Sequence, residues 1–166
     1  MGIRTKEGVV LAAERRLPSQ LMIPSSLEKI IQIDTHVGCV LAGLVADART
    51  LVDYARVECQ SHRFTYNESM PILAIAETIA DLAIDFGEHE KRQRAMARPY
   101  GVSLLIAGID ENGPALYQTD PSGHFMEWSA RAIGPATEGA QSLLKDNYSS
   151  VSLNNNWVID YDFKRS

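Results

Sequence analysis

The sequence predicts an α+β domain in which antiparallel strands and helices occupy separate layers. Strand-like segments come first, two amphipathic helical segments follow, and further strands and one helix complete the order. The strand-like segments adjoin one another through short turns, which favours antiparallel hairpins over alternating βαβ units. The segment 101–109 is apolar on both faces, which is typical of a strand covered on both sides.

Three strands are predicted in the first quarter of the chain. Gly8–Ala13 is an apolar run between a glycine and charged residues, and it is predicted to be a buried strand. Residues 17–26 contain two prolines and three serines and are predicted to form a loop. Lys29–Asp34 and Val37–Leu41 follow, and the short connection between them predicts a hairpin.

Two helices are predicted in the middle of the chain. The first runs from Leu44 to about His62, because apolar residues recur there every three or four positions. The second begins at Ile72, after a serine and a proline suited to a helix start, and continues to Phe86. Gly87 is the expected stop, and the charged residues 88–98 are expected to form a polar connector.

The remaining elements follow turn signals. In order, we predict a strand at 101–109, a turn at 110–113, a strand at 115–119, a turn at 120–123, a strand at 124–133 and a helix at 137–148. Residues 151–166 have three consecutive asparagines and no helical or strand period. We therefore expect one domain over residues 1–150 and an atypical, poorly packed tail over 151–166.

Composition excludes several classes of partner. The net charge is −5, the isoelectric point is about 5.3, and no long run of lysine and arginine occurs. These values predict no attraction to nucleic acid or to an anionic membrane. Cys39 and Cys59 lie in apolar segments without a secretory signal. We interpret them as two buried, reduced thiols, which favours a location in the cytosol or nucleus.

Candidate catalytic and metal-ligating residues do not form a recognisable motif in the sequence. His36 follows Asp34 by two positions, which could mimic a base and its orienting acid, but no nucleophile is placed beside them. His89 and His124 have no companion at metal-ligand spacing, so no metal site is predicted. Glycines form no phosphate loop, so no nucleotide or other cofactor is predicted.

The carboxylates of the first predicted helix have a simpler interpretation. Asp47, Asp53 and Glu58 lie at helical spacing from Arg49 and Arg56. We interpret them as solvated partners of these arginines.

Six longer stretches carry a more specific pattern. They are Pro24–Ile30, Gly43–Glu58, Tyr54–Tyr66, Arg98–Asp110, Asp110–Tyr117 and Thr119–Gly123. They resemble alpha-type subunits of the 20S proteasome, and most closely the alpha type-5 branch, over about residues 3–150. The resemblance implies a four-layer αββα sandwich, two antiparallel sheets flanked by helices, which is the N-terminal-nucleophile hydrolase architecture.

In beta-type subunits of that family, an N-terminal threonine is the nucleophile, and an aspartate and a lysine support it. By resemblance, Glu14 stands at the aspartate position and Lys29 at the lysine position. An N-terminal threonine uses its own amine as the base. The sequence begins after the place of that threonine, and Thr5 is internal. We therefore expect a non-catalytic subunit with vestigial site positions.

The resemblance gives the matching lysine a different role in alpha-type subunits. There the lysine and the backbone of a Gly-Leu pair receive the C-terminal carboxylate of activator proteins in a pocket between neighbouring subunits. The corresponding residues are Lys29, Gly43 and Leu44. An ammonium group and backbone N–H groups near a helix N-terminus favour a carboxylate.

Two departures from the family pattern are visible. Nothing in the sequence matches the N-terminal helix and gating tail of alpha-type subunits, and residues 151–166 do not resemble their later helices and strands. We therefore expect an incomplete sandwich, shortened at both ends, whose uncovered edges weaken it when alone.

The leading hypothesis is a structural subunit of the proteasome alpha ring. It would contact other alpha and beta subunits and activator particles, and support gating and ubiquitin-dependent degradation. One alternative is an active threonine peptidase of the beta or bacterial type, which an epoxyketone directed at N-terminal threonine would label. Another is a solitary hydrolase using Ser103, Ser122 or His124, which would be monomeric and turn over esters.

Overall fold

The computed structural model describes residues 1–14, 19, 21–23, 28–85 and 98–148. The strands are β1 (Gly2–Arg4), β2 (Val9–Leu11), β3 (Ile30–Asp34), β4 (Val37–Gly43), β5 (Val102–Asp110), β6 (Gly113–Thr119), β7 (Phe125–Glu127) and β8 (Ala130–Arg131). The helices are α1 (Val45–Tyr66), α2 (Ile72–Ile84) and α3 (Thr137–Tyr148).

The described strands form two antiparallel sheets. One has the order β3–β4–β5–β6–β7 and the other the order β2–β1–β8. Helices α1 and α2 pack on one face of the five-stranded sheet, the three-stranded sheet packs on its other face, and α3 contacts β8. This arrangement confirms the predicted αββα layering.

Strand β5 lies at the centre of the layers. Val102, Leu104 and Ile106 point into the cluster shared with α1 and α2. Leu105 and Ala107 point the other way, into a cluster with residues of β2 and β6. Alternate side chains of a strand point to opposite faces, so both faces of β5 are covered, as its sequence predicts.

Helix α1 is longer than predicted. It ends at Tyr66, where Asn67 adopts a left-handed conformation with φ of 56° and donates its N–H to the Arg63 carbonyl oxygen at 2.8 Å. Asparagine tolerates this conformation better than most residues do, so it closes the last turn. Its buried face is that of the predicted period: Ala48, Leu51, Val52, Ala55 and Cys59, with Asp47 in addition.

The predicted single strand at 124–133 is wrong. The chain forms β7 beside β6 and then β8 beside β1, so it passes from one sheet to the other. The Trp128 N–H still bonds to the Leu116 carbonyl of β6, whereas the Ser129 carbonyl accepts from Arg4 of β1, both at 2.8 Å. The pairing partner therefore changes between these two residues.

Other predictions hold with small shifts. The hairpin of β3 and β4, the strand β5, the hairpin of β5 and β6, and helix α3 are confirmed. Strand β1 was not predicted, because three residues show no period. Helix α2 ends at Ile84. Four predictions lie wholly or mostly outside the described residues: the Gly87 stop, the loop at 17–26, the connector at 88–98 and the tail at 151–166.

Within the described ranges, no helix is both long and apolar enough to cross a membrane.

The central position of β5 leads to a stability prediction. Leu104 is fully buried between β5 and the helices. We expect Leu104→Ala to lower the free energy of unfolding by about 2–5 kcal/mol, because it leaves a cavity in a packed core. Urea unfolding followed by circular dichroism measures this change.

The control is Leu143→Ala on α3, where the leucine side chain is 66% exposed. We expect it to change the unfolding free energy by about 0.5 kcal/mol or less. Equal effects of the two substitutions would show that β5 is not the packed centre of the fold.

Candidate functional site

The structure brings Lys29 and Glu14 together. Lys29 directly precedes β3, and its Nζ donates a hydrogen bond to the backbone carbonyl oxygen of Glu14 at 2.8 Å. The Glu14 carboxylate is not the partner, since this residue is exposed and no ion pair joins it to Lys29 in the described part of the chain. Within the described residues, the lysine is therefore held by the backbone through one of the three N–H donors of its ammonium group.

Gly43 and Leu44 lie at the same end of the sheet as Lys29. The Lys29 carbonyl accepts from the N–H of Leu41, only two residues before Gly43. Gly43 is the last residue of β4 and lies opposite Val102 of β5. The pairing therefore places the predicted docking residues around the point where β4 passes into α1.

Gly43 has a conformation that other residues rarely adopt. Its φ is +128°, and a Cβ atom there would lie 2.4 Å from the carbonyl oxygen of Gly101. Only a residue without a side chain fits both the backbone angle and the close approach to the neighbouring strand. The glycine thus fixes the path from β4 to α1.

Leu44 occupies the N-cap of α1. Its carbonyl accepts from the Ala48 N–H at 3.1 Å, and its own N–H donates to the Gly101 carbonyl at 2.9 Å. The Leu44 N–H is therefore already bonded. The backbone donors that point out of the helix end are those of the first turn, residues 45–47, as at any α-helix start.

Asp47 supplies a buried contact in this first turn. Asp47 is only 5% exposed, and its carboxylate accepts from the Gly101 N–H at 2.8 Å. Arg98 donates two further bonds, of 2.7 Å and 3.0 Å, in a bidentate pair. The Arg98 hydrogen bond, followed by that of the Gly101 N–H, lowers the pKa of Asp47 below its ordinary value.

The interpretation of Asp47 as a solvated helix-face residue is therefore wrong. Its partners lie 51 and 54 residues away, so helical spacing carries no signal of them. The interpretation of Asp53 is confirmed, since Arg56 lies 3.1 Å from its carboxylate on the surface of α1.

His36 lies at the other end of β4, in a cleft of about 490 Å³. Its Nε2 is 2.8 Å from the Met70 carbonyl oxygen, and its Nδ1 is 3.7 Å from the Asp34 carboxylate. That carboxylate accepts from Arg63 at 2.9 Å and from the Thr35 N–H at 2.7 Å. These contacts hold the hairpin against the helices and place no nucleophile on the histidine.

The serines proposed for a solitary hydrolase have structural partners or surroundings. The Ser122 hydroxyl donates to the Asp120 carboxylate, which also accepts the backbone N–H groups of Ser122 and His124. Burial raises the pKa of Asp120, but these three bonds together lower it below its ordinary value. Ser103 lies within β5 opposite Ala42, and among the described residues neither serine hydroxyl is hydrogen-bonded to a histidine ring.

The two cysteines are free and buried, as predicted. Burial raises the pKa of Cys39 to about 12 and that of Cys59 to about 11, so both thiols stay protonated at neutral pH. The described ranges contain no group of three or more side chains able to hold a metal ion.

The sequence matches a family model described as "Proteasome subunit" over residues 1–158. The chain belongs to the proteasome subunit family. It is 55% identical over 148 residues to a Trypanosoma brucei brucei protein named "Proteasome subunit alpha type-5", which covers 89% of this chain and 60% of the relative. Proteins of the same name from Dictyostelium discoideum and Drosophila melanogaster are 54% and 52% identical, over 91% and 88% of this chain.

This proteasome-family chain spans about three-fifths of the length of the curated relatives that it matches. Lys29, Gly43 and Leu44 lie within the residues 1–158 that match the family model.

The close approach at Gly43 gives a test of the site's geometry. We expect Gly43→Ala to lower the free energy of unfolding by about 1–3 kcal/mol, because alanine is strained at this backbone angle and meets the Gly101 carbonyl. Denaturant unfolding of the variant and the parent protein measures the difference.

Gly139→Ala in α3 is the matched control. A Cβ atom at Gly139 meets nothing within 4 Å. We therefore expect this variant to raise the free energy of unfolding by about 0.5–1 kcal/mol, because alanine has a higher helix propensity than glycine. A neutral effect of Gly43→Ala would contradict the tight contact between β4 and the start of β5.

Proposed function

We propose that this protein is a non-catalytic subunit of the alpha ring of the 20S proteasome core. In that role it supports assembly, gating of substrate entry and docking of activators during ubiquitin-dependent protein degradation in the cytoplasm and nucleus. The observation that carries the proposal is the identity of 45–55% to proteins named alpha type-5, across 88–92% of this chain.

The contacts of the vestigial positions support a role without catalysis. In beta-type subunits, an aspartate carboxylate and a lysine support the threonine nucleophile. Here Glu14 offers its backbone carbonyl to Lys29, and its exposed carboxylate takes no part in the contact. One N–H of the lysine thus joins the ends of β2 and β3 through the backbone.

Co-assembly tests the proposal directly. We expect the tagged protein, expressed in its native cell, to co-purify with other alpha and beta subunits in a high-molecular-weight particle. Within that particle, an epoxyketone directed at N-terminal threonine should label beta-type chains and leave this chain at its unmodified mass. Intact-mass spectrometry of each chain makes the measurement.

One result of this experiment would contradict the proposal. A protein purified as a lone particle that cleaves peptides and gains the mass of the epoxyketone would overturn the proposal in favour of an active threonine peptidase.

Activator docking is the finer part of the proposal. The Lys29 ammonium and the start of α1 lie at the same end of the five-stranded sheet. Both are electropositive, since the N-terminus of a helix carries a partial positive charge. A C-terminal carboxylate bound between them would accept charge-assisted hydrogen bonds from the ammonium and from the N–H groups of the first turn.

Replacement of the lysine tests the docking position. We expect Lys29→Ala, in the assembled full-length protein, to weaken binding of activator C-terminal peptides by about 1.5–3 kcal/mol, the value of a hydrogen bond to a charged group. Isothermal titration at fixed ionic strength gives the affinity.

Lys145→Ala removes the same charge from an exposed position of α3 and is the matched control. Its affinity should equal that of the parent protein. An unchanged affinity of Lys29→Ala at the same salt concentration would remove Lys29 from the docking site.

A further inference from the structure

The start of α1 already contains an anion. Asp47 lies in the first turn of the helix, where a carboxylate interacts favourably with the helix dipole. Its charge also opposes a second anion, because two carboxylates within a few ångströms repel each other. A docking site for a carboxylate at this helix start therefore requires that the charge of Asp47 be compensated.

Arg98 supplies this compensation. Its two terminal nitrogens each donate to one oxygen of Asp47, at 2.7 Å and 3.0 Å, and the first also donates to the Pro99 carbonyl. The arginine reaches Asp47 from just before β5, so it belongs to another part of the chain than the helix does. The pair as a whole carries no net charge.

The same pair fixes the position of the helix start. Gly101 donates its N–H to Asp47 and accepts the N–H of Leu44 through its carbonyl oxygen. A Cβ atom on Gly101 would lie 2.9 Å from Leu44 Cδ1, so the two segments are in close contact. Gly101 therefore connects Leu44, at one end of the docking position, to the pair of Asp47 and Arg98.

We propose that Arg98 determines the charge specificity of the docking position. By neutralising Asp47, it allows the start of α1 to accept an external carboxylate beside Lys29. This inference rests on the proposed docking function and adds a positioning residue that acts on the ligand only through Asp47. The partner that it selects is a protein with a free C-terminal carboxylate.

The test compares two forms of one probe on the assembled full-length protein. The probe is a fluorescent peptide with the C-terminal sequence of an activator protein, made with a free carboxylate and as the C-terminal amide. Fluorescence anisotropy gives both dissociation constants, and their ratio is the carboxylate preference. A purely structural role of Arg98 would weaken both peptides equally and leave this ratio unchanged.

We expect Arg98→Gln to reduce the carboxylate preference by about three- to tenfold, because Asp47 is then an uncompensated anion at the helix start. Arg98→Lys keeps the positive charge and should keep most of the preference. The double variant of Arg98→Gln with Asp47→Asn removes both charges and should restore the preference. The loss in Arg98→Gln should also shrink as salt is raised.

The carboxylate preference of Asp47→Asn alone is a second measurement that does not depend on the folding of Arg98→Gln. Its amide oxygen can still accept from the Gly101 N–H, while Arg98 remains as a free cation. The carboxylate preference should therefore rise. An unchanged ratio in both Arg98→Gln and Asp47→Asn would overturn the inference.

The docking function fails in a different way. A parent protein with no carboxylate preference, or one whose preference is unaffected by Lys29→Ala, would overturn the docking site and the role of Arg98 with it. A parent protein whose preference depends on Lys29 but is unaffected at Arg98 and Asp47 overturns only the role of Arg98.

Discussion

The fold depends on the burial of β5 on both of its faces. One face packs against α1 and α2, and the other packs against the three-stranded sheet. Each large apolar side chain removed from water contributes about 1.5–3 kcal/mol. A shift of β5 by one residue would exchange its two faces, so that Ser103 would point toward α1 and α2. The register with β4 and β6 is therefore fixed by two independent clusters at once.

This register also positions the candidate site. Gly101 comes directly before β5, and its backbone meets Leu44 through the carbonyl and Asp47 through the N–H. Because the register of β5 is fixed, the positions of these two contacts are fixed as well. The start of α1 is thus held in place by the central strand. Gly43 connects β4 to this helix start, and only glycine fits its backbone angle and its close approach to Gly101.

The sequence predicts those elements whose signal is local. Strand β5 has a continuous apolar run, α1 has a helical period, and α3 has the predicted bounds, Thr137–Tyr148. The division at 128–129 was missed, since it depends on whether β6 or β1 offers the next hydrogen bond. The role of Asp47 was missed for the same reason: its partners are distant in the chain, and no spacing rule connects them. The docking roles of Lys29, Gly43 and Leu44 come from the family resemblance, and the structure supplies their surroundings.

The start of α1 lacks a local stabilising feature that most helices have. Leu44 occupies the N-cap without a side-chain hydrogen bond, where a serine or aspartate would add about 1 kcal/mol. Asp47 could satisfy the backbone donors of its own helix, yet its carboxylate bonds to Gly101 and Arg98. The helix start is held by contacts with the residues just before β5 in place of a cap, and within the described residues no side-chain cap takes up the donors of its first turn. Departures from local rules of this kind are expected where a protein binds a ligand, which gives the apolar N-cap of Leu44 a physical reason within the proposed docking site.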